Sequence, residues 1–169
     1  HPGAHVLVDE CNAPEFYTGG AKLVTVDGPA GKLTAAGLAA SVPKSDGARG
    51  VHHPQPAAIS LSQAAETGTV YGAAEMAAIG EFAKSRGLWL HVDGARFANA
   101  VASTGAAPAA LTWKAGVDVL SFGATKNGAL AAEAIVLFDK TKLWELQLRR
   151  KRAGQLWSKM RFLAIQWDA

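Results

Sequence analysis

Apolar residues fall along the 169-residue chain in short runs separated by Gly- and Pro-rich punctuation. The runs at 57–61, 88–92, 117–122 and 134–138 are short and nearly uninterrupted, which predicts strands buried within a sheet. Between them, 74–86 predicts a helix: Met76, Ala77, Ile79, Gly80, Phe82 and Ala83 give it one apolar face, and Gly87 is its stop signal. Residues 96–103 read as a second helix and 143–167 as one or two more. Thr34 is placed to cap a helix running through Ala40. Residues 5–9 and 22–26 read as two further short strands, with Gly28 and Gly31 bracketing a turn. Residues 42–56, with three prolines and two glycines, read as a loop, and 68–71 as a turn or short extended piece. Strands alternating with helices predict an α/β fold with a mostly parallel sheet flanked by helices. No internal repeat or coiled-coil pattern interrupts this.

Composition agrees. The chain is 49% hydrophobic and 18% charged, so it can bury a core and is not a disordered composition. No apolar run approaches the roughly 18 uncharged residues of a membrane helix, and no stretch reads as a signal peptide. One cysteine, Cys11, excludes an internal disulfide and fits a cytoplasmic setting. The net charge of +3 conceals an asymmetry: residues 139–161 hold eight basic residues and two acids, and the remainder is net acidic. A basic run of this kind reads either as a solvated or subunit-facing helix or as an anion-binding surface. No aromatic-interleaved basic groove points to nucleic acid, so the expectation is no nucleic acid and no membrane.

The chemistry gathers at two strand ends. Strand 117–122 runs into a turn, Gly123-Ala124-Thr125-Lys126-Asn127-Gly128, before the next apolar strand. About 30 residues upstream, Leu88-Trp89-Leu90-His91-Val92-Asp93-Gly94 ends a buried run on a carboxylate. Open α/β sheets bind ligands at the carboxyl ends of their strands, where Asp93, Lys126 and the Ser62-Gln63 pair all fall. An amine and an acid on neighbouring strand ends suit pyridoxal 5'-phosphate, whose aldehyde needs an amine and whose ring nitrogen needs an anion to stay protonated. Each residue also has a plainer reading. Lys126 reads equally as a surface lysine in a Gly-rich turn. Asp93 reads as a helix cap, and Arg96 as its salt-bridge partner at helical spacing.

The motifs His5-Val6-Leu7-Val8-Asp9-Glu10, 13–23, His52-His53-Pro54-Gln55-Pro56, 63–71, 91–100, the Lys126 loop and the tail 154–163 occur in one order. Together they resemble the low-specificity threonine aldolases of the β-eliminating lyase group, fold-type-I pyridoxal-phosphate enzymes. The resemblance implies that residues 1–169 are the central part of a cofactor-binding large domain. It places a Gly-rich phosphate-binding segment before them and a small domain after them. It implies a carbon–carbon lyase that cleaves threonine, allo-threonine and related β-hydroxy-α-amino acids to glycine and an aldehyde, in a cytoplasmic homodimer or homotetramer. Residue by residue, it makes Lys126 the amine that holds the cofactor and Asp93 the partner of its ring nitrogen. His5 becomes the histidine stacked on the ring, and His52 the base at the substrate hydroxyl. Arg96 is implied for the substrate carboxylate or the cofactor phenolate, and Thr125 for the phosphate. His53 is the neighbour from which His52 is distinguished by register, eight residues before Ser60.

Three matters stay open on sequence alone. A β-eliminating lyase or aminotransferase would share Asp93 and Lys126 without needing His52. A non-enzymatic binding or assembly module would instead use Trp144, Trp157 and the basic residues 149–152. His91, on the same strand face as Asp93, reads as its buttress, while Glu10 and Glu66 stand near motifs without an assigned role. The histidine pair finds no third ligand at useful spacing, so no metal is expected.

Overall fold

A computed structural model describes residues 1–43 and 51–168. The four apolar runs form one sheet: β1 (Ala58–Ser62), β2 (Trp89–Gly94), β3 (Val119–Gly123) and β4 (Glu133–Leu137), in that spatial order. β1 pairs with β2 and β2 with β3 in parallel, while β4 runs antiparallel to β3. Connection length explains the change of direction. Parallel neighbours need a crossover, supplied by α4 (Ala73–Ser85) and by α5 (Phe97–Thr104), whereas the short Lys126 turn only lets the chain double back.

β1 and β2 alternate between buried and more exposed residues. Ile59, Leu61, Leu90, Val92 and Leu120 point into the core, against Met76, Ile79 and Ala83 of α4 and Phe97 of α5. The other face carries Ser60, Ser62, His91, Asp93 and Ser121, all half-buried. The apolar face fixes register, because a slip of one residue would drive His91 and Asp93 into the core. α4 lies close because Gly80 has no side chain: a Cβ there would sit 1.7 Å from the Ala115 carbonyl oxygen. The helix gives way to Gly87, whose φ of +63° suits glycine.

The helix capped by Thr34 is present as α3 (Ala35–Ser41), the Thr34 side chain accepting the Gly37 N–H at 3.0 Å. Of the loop expected over 42–56, residues 44–50 lie outside the described residues. Two expected strands are absent. Residues 5–9 fold instead as the short helix α1 (His5–Val8), followed by α2 (Ala13–Thr18), and 22–26 form no regular element and do not join the sheet. The expected basic helix is α6 (Leu143–Arg152), and the tail ends in α7 (Arg161–Ala164) and a 3₁₀ turn, Ile165–Trp167. No helix among the described residues is long and apolar enough to cross a membrane.

Behind the site, Gln63 is fully buried, and its amide pairs with both backbone groups of Tyr71. Nε2 donates to the carbonyl at 2.8 Å, and Oε1 accepts the N–H at 2.9 Å. The Tyr71 hydroxyl accepts the Leu33 N–H at 2.7 Å, and its pKa is pushed up to about 12, chiefly by burial. Gln63→Ala strands a donor and an acceptor in the core and should destabilise the intact protein by about 2–4 kcal/mol. Urea unfolding followed by fluorescence measures this, and an unchanged midpoint would mean water replaces the amide.

Candidate active site

Asp93 stands one residue before the end of the central strand β2, opposite Ser62 of β1 and Ser121 of β3. Its Oδ1 accepts the Ala95 N–H at 3.0 Å. Among the described residues nothing donates to Oδ2. Asp93 does not cap α5, since Arg96 holds that position. Nor does it pair with Arg96, which is exposed and makes no ion pair among the described residues.

At the neighbouring strand end, the backbone of Gly123 lies hard against Ala95, where a Cβ would sit 3.1 Å from the Ala95 Cα and 2.7 Å from Glu133 Oε2. This contact brings the segment after β3 against the segment after β2. Lys126 follows in a 3₁₀ turn, Thr125–Asn127, with its side chain exposed. The loop's other polar groups are engaged. Asn127 Nδ2 donates to the Gly123 carbonyl at 3.0 Å, and Thr125 Oγ1 accepts the Ala132 N–H at 3.2 Å. Gln166 clamps the loop from the tail, its Oε1 accepting the Leu130 N–H at 2.7 Å, while Trp167 packs on Phe122 at 4.9 Å between ring centroids. Lys126 therefore sits on a fixed turn with no protein partner for its amine among the described residues.

The third approach comes from α1. The His5 backbone N–H donates to Glu66 Oε1 at 2.8 Å, and its ring Nδ1 meets Glu10 Oε1 at 2.7 Å. The Ser62 hydroxyl donates to the same Glu66 oxygen at 2.5 Å. Glu66 thus ties the helix bearing His5 to the residue beside Asp93. Burial works to raise the Glu66 pKa, but the hydrogen bonds from His5 and Ser62 outweigh it and hold the carboxyl below its ordinary value. His91 is bonded at both ring nitrogens: Nδ1 to Ser60 Oγ at 2.9 Å and Nε2 to Ser121 Oγ at 2.9 Å. Burial lowers its pKa, against the opposing pull of the Asp93 charge.

The structure therefore gathers Asp93, the Lys126 turn with Thr125, and His5 at the carboxyl edge of the sheet. Arg96 lies at the start of α5, three residues after Asp93. His52 and His53 lie on an exposed turn, and neither ring is hydrogen-bonded to the other site residues among the described residues. Sequence reasoning left Glu66 and Gln166 without roles. The links of Glu66 to His5 and of Gln166 to Leu130 span 61 and 36 residues, and no local pattern carries that information.

A sequence model of the beta-eliminating lyase family matches residues 1–168. Over 164 residues the chain is 50% identical to the low specificity L-threonine aldolase of Pseudomonas aeruginosa, a match that covers 97% of this chain and 46% of that protein. The protein of the same name from a Pseudomonas species (strain NCIMB 10558) is 49% identical over the same length. Among solved structures, a threonine aldolase from Leishmania major superposes with a TM-score of 0.83 at 30% identity, over 96% of this chain and 46% of that one. The chain spans about half the length of the curated relatives it matches. The α/β architecture expected from the sequence is that of this threonine aldolase.

Proposed function

The chain belongs to the beta-eliminating lyase family, and from that premise we propose that the protein is a pyridoxal-phosphate-dependent aldehyde-lyase. Its substrates are threonine, allo-threonine and related β-hydroxy-α-amino acids, cleaved to glycine and an aldehyde. The observation that carries the reading is the placement, at adjacent strand ends, of an amine and a carboxylate oxygen that have no protein partner among the described residues. This donor set fits the cofactor, and the Gly123–Ala95 contact brings the two segments that bear it together. Pyridoxal phosphate supplies an aldehyde that bonds amines and a protonated ring that accepts the electron pair left at the substrate Cα.

The chain's own residues do the rest. Lys126 Nζ would hold the cofactor, and Thr125 would donate its hydroxyl proton to the phosphate. Asp93 Oδ2 holds the proton on the ring nitrogen. His5, fixed by Glu10 and Glu66, would flank the cofactor and screen it from water. Arg96 takes the substrate carboxylate, orienting the Cα–Cβ bond for cleavage. His52 accepts the β-hydroxyl proton, for which a neutral imidazole is suited near pH 7. We place these residues in the central part of the cofactor-binding domain, in a cytoplasmic homodimer or homotetramer.

Only the aldol reaction needs a base at the β-hydroxyl. His52→Phe should depress threonine cleavage by ~10²–10⁴-fold while glycine, which lacks the hydroxyl, still perturbs the visible spectrum of the cofactor-loaded protein. His53→Phe should be mild. Sensitivity at His53 instead would move the base by one residue. If the protein leaves threonine intact and eliminates a β-leaving group, β-elimination, which the family's name describes, replaces this reading.

A further inference from the structure

A neutral imidazole offers one donor and one acceptor, and His91 spends both on serines of the two flanking strands. The bridge runs diagonally. His91 stands opposite Ser60 and Val119, whereas Ser121 stands opposite Asp93. The Ser121 hydroxyl is a register neighbour of Asp93, yet it is engaged by His91; with the ring proton on Nδ1, shared with Ser60, the bare Nε2 would take the Ser121 proton. Ser62, the other register neighbour of Asp93, is engaged by Glu66. In that tautomer both hydroxyl protons flanking the carboxylate are committed elsewhere. Asp93 keeps Oδ2 clear although a serine stands on either side.

We propose that His91 is a positioning residue: by holding Ser121 in the Ser60–His91–Ser121 bridge across β1, β2 and β3, it reserves Asp93 Oδ2 for the ring nitrogen of the cofactor. The proposal rests on the pyridoxal-phosphate reading above. A Ser121 hydroxyl released from the bridge would donate to Asp93. It would then compete with the cofactor's N–H for the same oxygen, weakening a charge-assisted hydrogen bond.

The test is cofactor affinity in the intact protein, titrated with pyridoxal phosphate and read by the visible band. His91→Leu should weaken binding by about 10- to 100-fold, the scale of one hydrogen bond to a charged group. Adding Ser121→Ala to His91→Leu should recover most of that loss, because it removes the competing donor. Ser121→Ala alone should bind nearly as the parent does. A purely structural His91 predicts the opposite, that the second substitution deepens the damage, and that outcome overturns the proposal, as does a His91→Leu protein with parental affinity. If His91→Leu does not fold, the ¹⁵N spectrum of the unaltered protein decides. A proton on Nδ1 with a bare Nε2 at pH 7 supports the bridge, and a proton on Nε2, which would leave the Ser121 hydroxyl proton free for Asp93, overturns it. If the unaltered protein shows no visible band at all, it is the pyridoxal-phosphate reading that fails.

Discussion

Lys126→Ala is expected to abolish turnover of threonine by the intact protein while leaving the fold unchanged. Two observations separate the effects. The side chain is exposed and makes no hydrogen bond or ion pair among the described residues, so its removal should shift unfolding by less than about 0.5 kcal/mol. Its amine stands on a turn fixed at both ends, by Asn127 on Gly123 and by Gln166 on Leu130, and nothing else there can form the covalent link. Two other lysines are engaged elsewhere: Lys32 is bound to Glu75 and the Val70 carbonyl, and Lys114 lies over Trp113. Loss of a nucleophile from such a unit is on the order of 10⁶ in kcat. Borohydride reduction of the cofactor-loaded protein followed by peptide mapping should find the label on Lys126. A label on any other lysine, or measurable turnover by the alanine variant with its melting curve intact, would sink the assignment.

What the sequence revealed, and what it concealed, follows from how far each contact reaches. α4 was legible because its apolar face repeats at helical spacing and ends at Gly87, and α3 because Thr34 sits three residues before the N–H it caps. The four sheet strands were legible because β-branched and apolar residues cluster between turn residues. The same rule misled at 5–9. Val6-Leu7-Val8 has strand composition, but the segment forms a single helical turn held from outside, by Glu66 on the His5 N–H. At 22–26 the composition again favours a strand, but among the described residues no neighbouring strand pairs with it, and pairing is what makes a strand.

The site divides along the same line. The carboxylate and the amine could be read from the sequence because each ends an apolar run, and parallel topology places such ends together. The alternation on β2 already placed His91 and Asp93 on one face. That the histidine would be bonded on both sides by serines needed the register of β1 and β3. The links that hold His5 and the Lys126 turn needed the tertiary structure altogether.

Asp93→Asn is the sharpest test of how that edge works, because it separates the two oxygens. The carboxamide keeps an Oδ1 to accept the Ala95 N–H, so the turn into α5 should survive and the protein should fold. What changes is the open position. Oδ2, an anionic acceptor with no protein donor among the described residues, becomes an NH₂ donor with no charge. A protonated ring nitrogen facing it would meet a second donor instead of an anion, so the ring gives up its proton and accepts the substrate's electron pair poorly. Where one substitution of this kind leaves a catalytic group in the wrong protonation state while geometry is intact, the loss is on the order of 10⁴ in kcat. The same fall is expected here for threonine cleavage, together with a shifted visible spectrum and with the Lys126 linkage still formed on borohydride treatment. That combination of linkage present and turnover lost locates the defect in the ring's protonation, not in cofactor capture. Turnover near the parental rate would instead reduce Asp93 to its local role, the acceptor that turns the chain from β2 into α5.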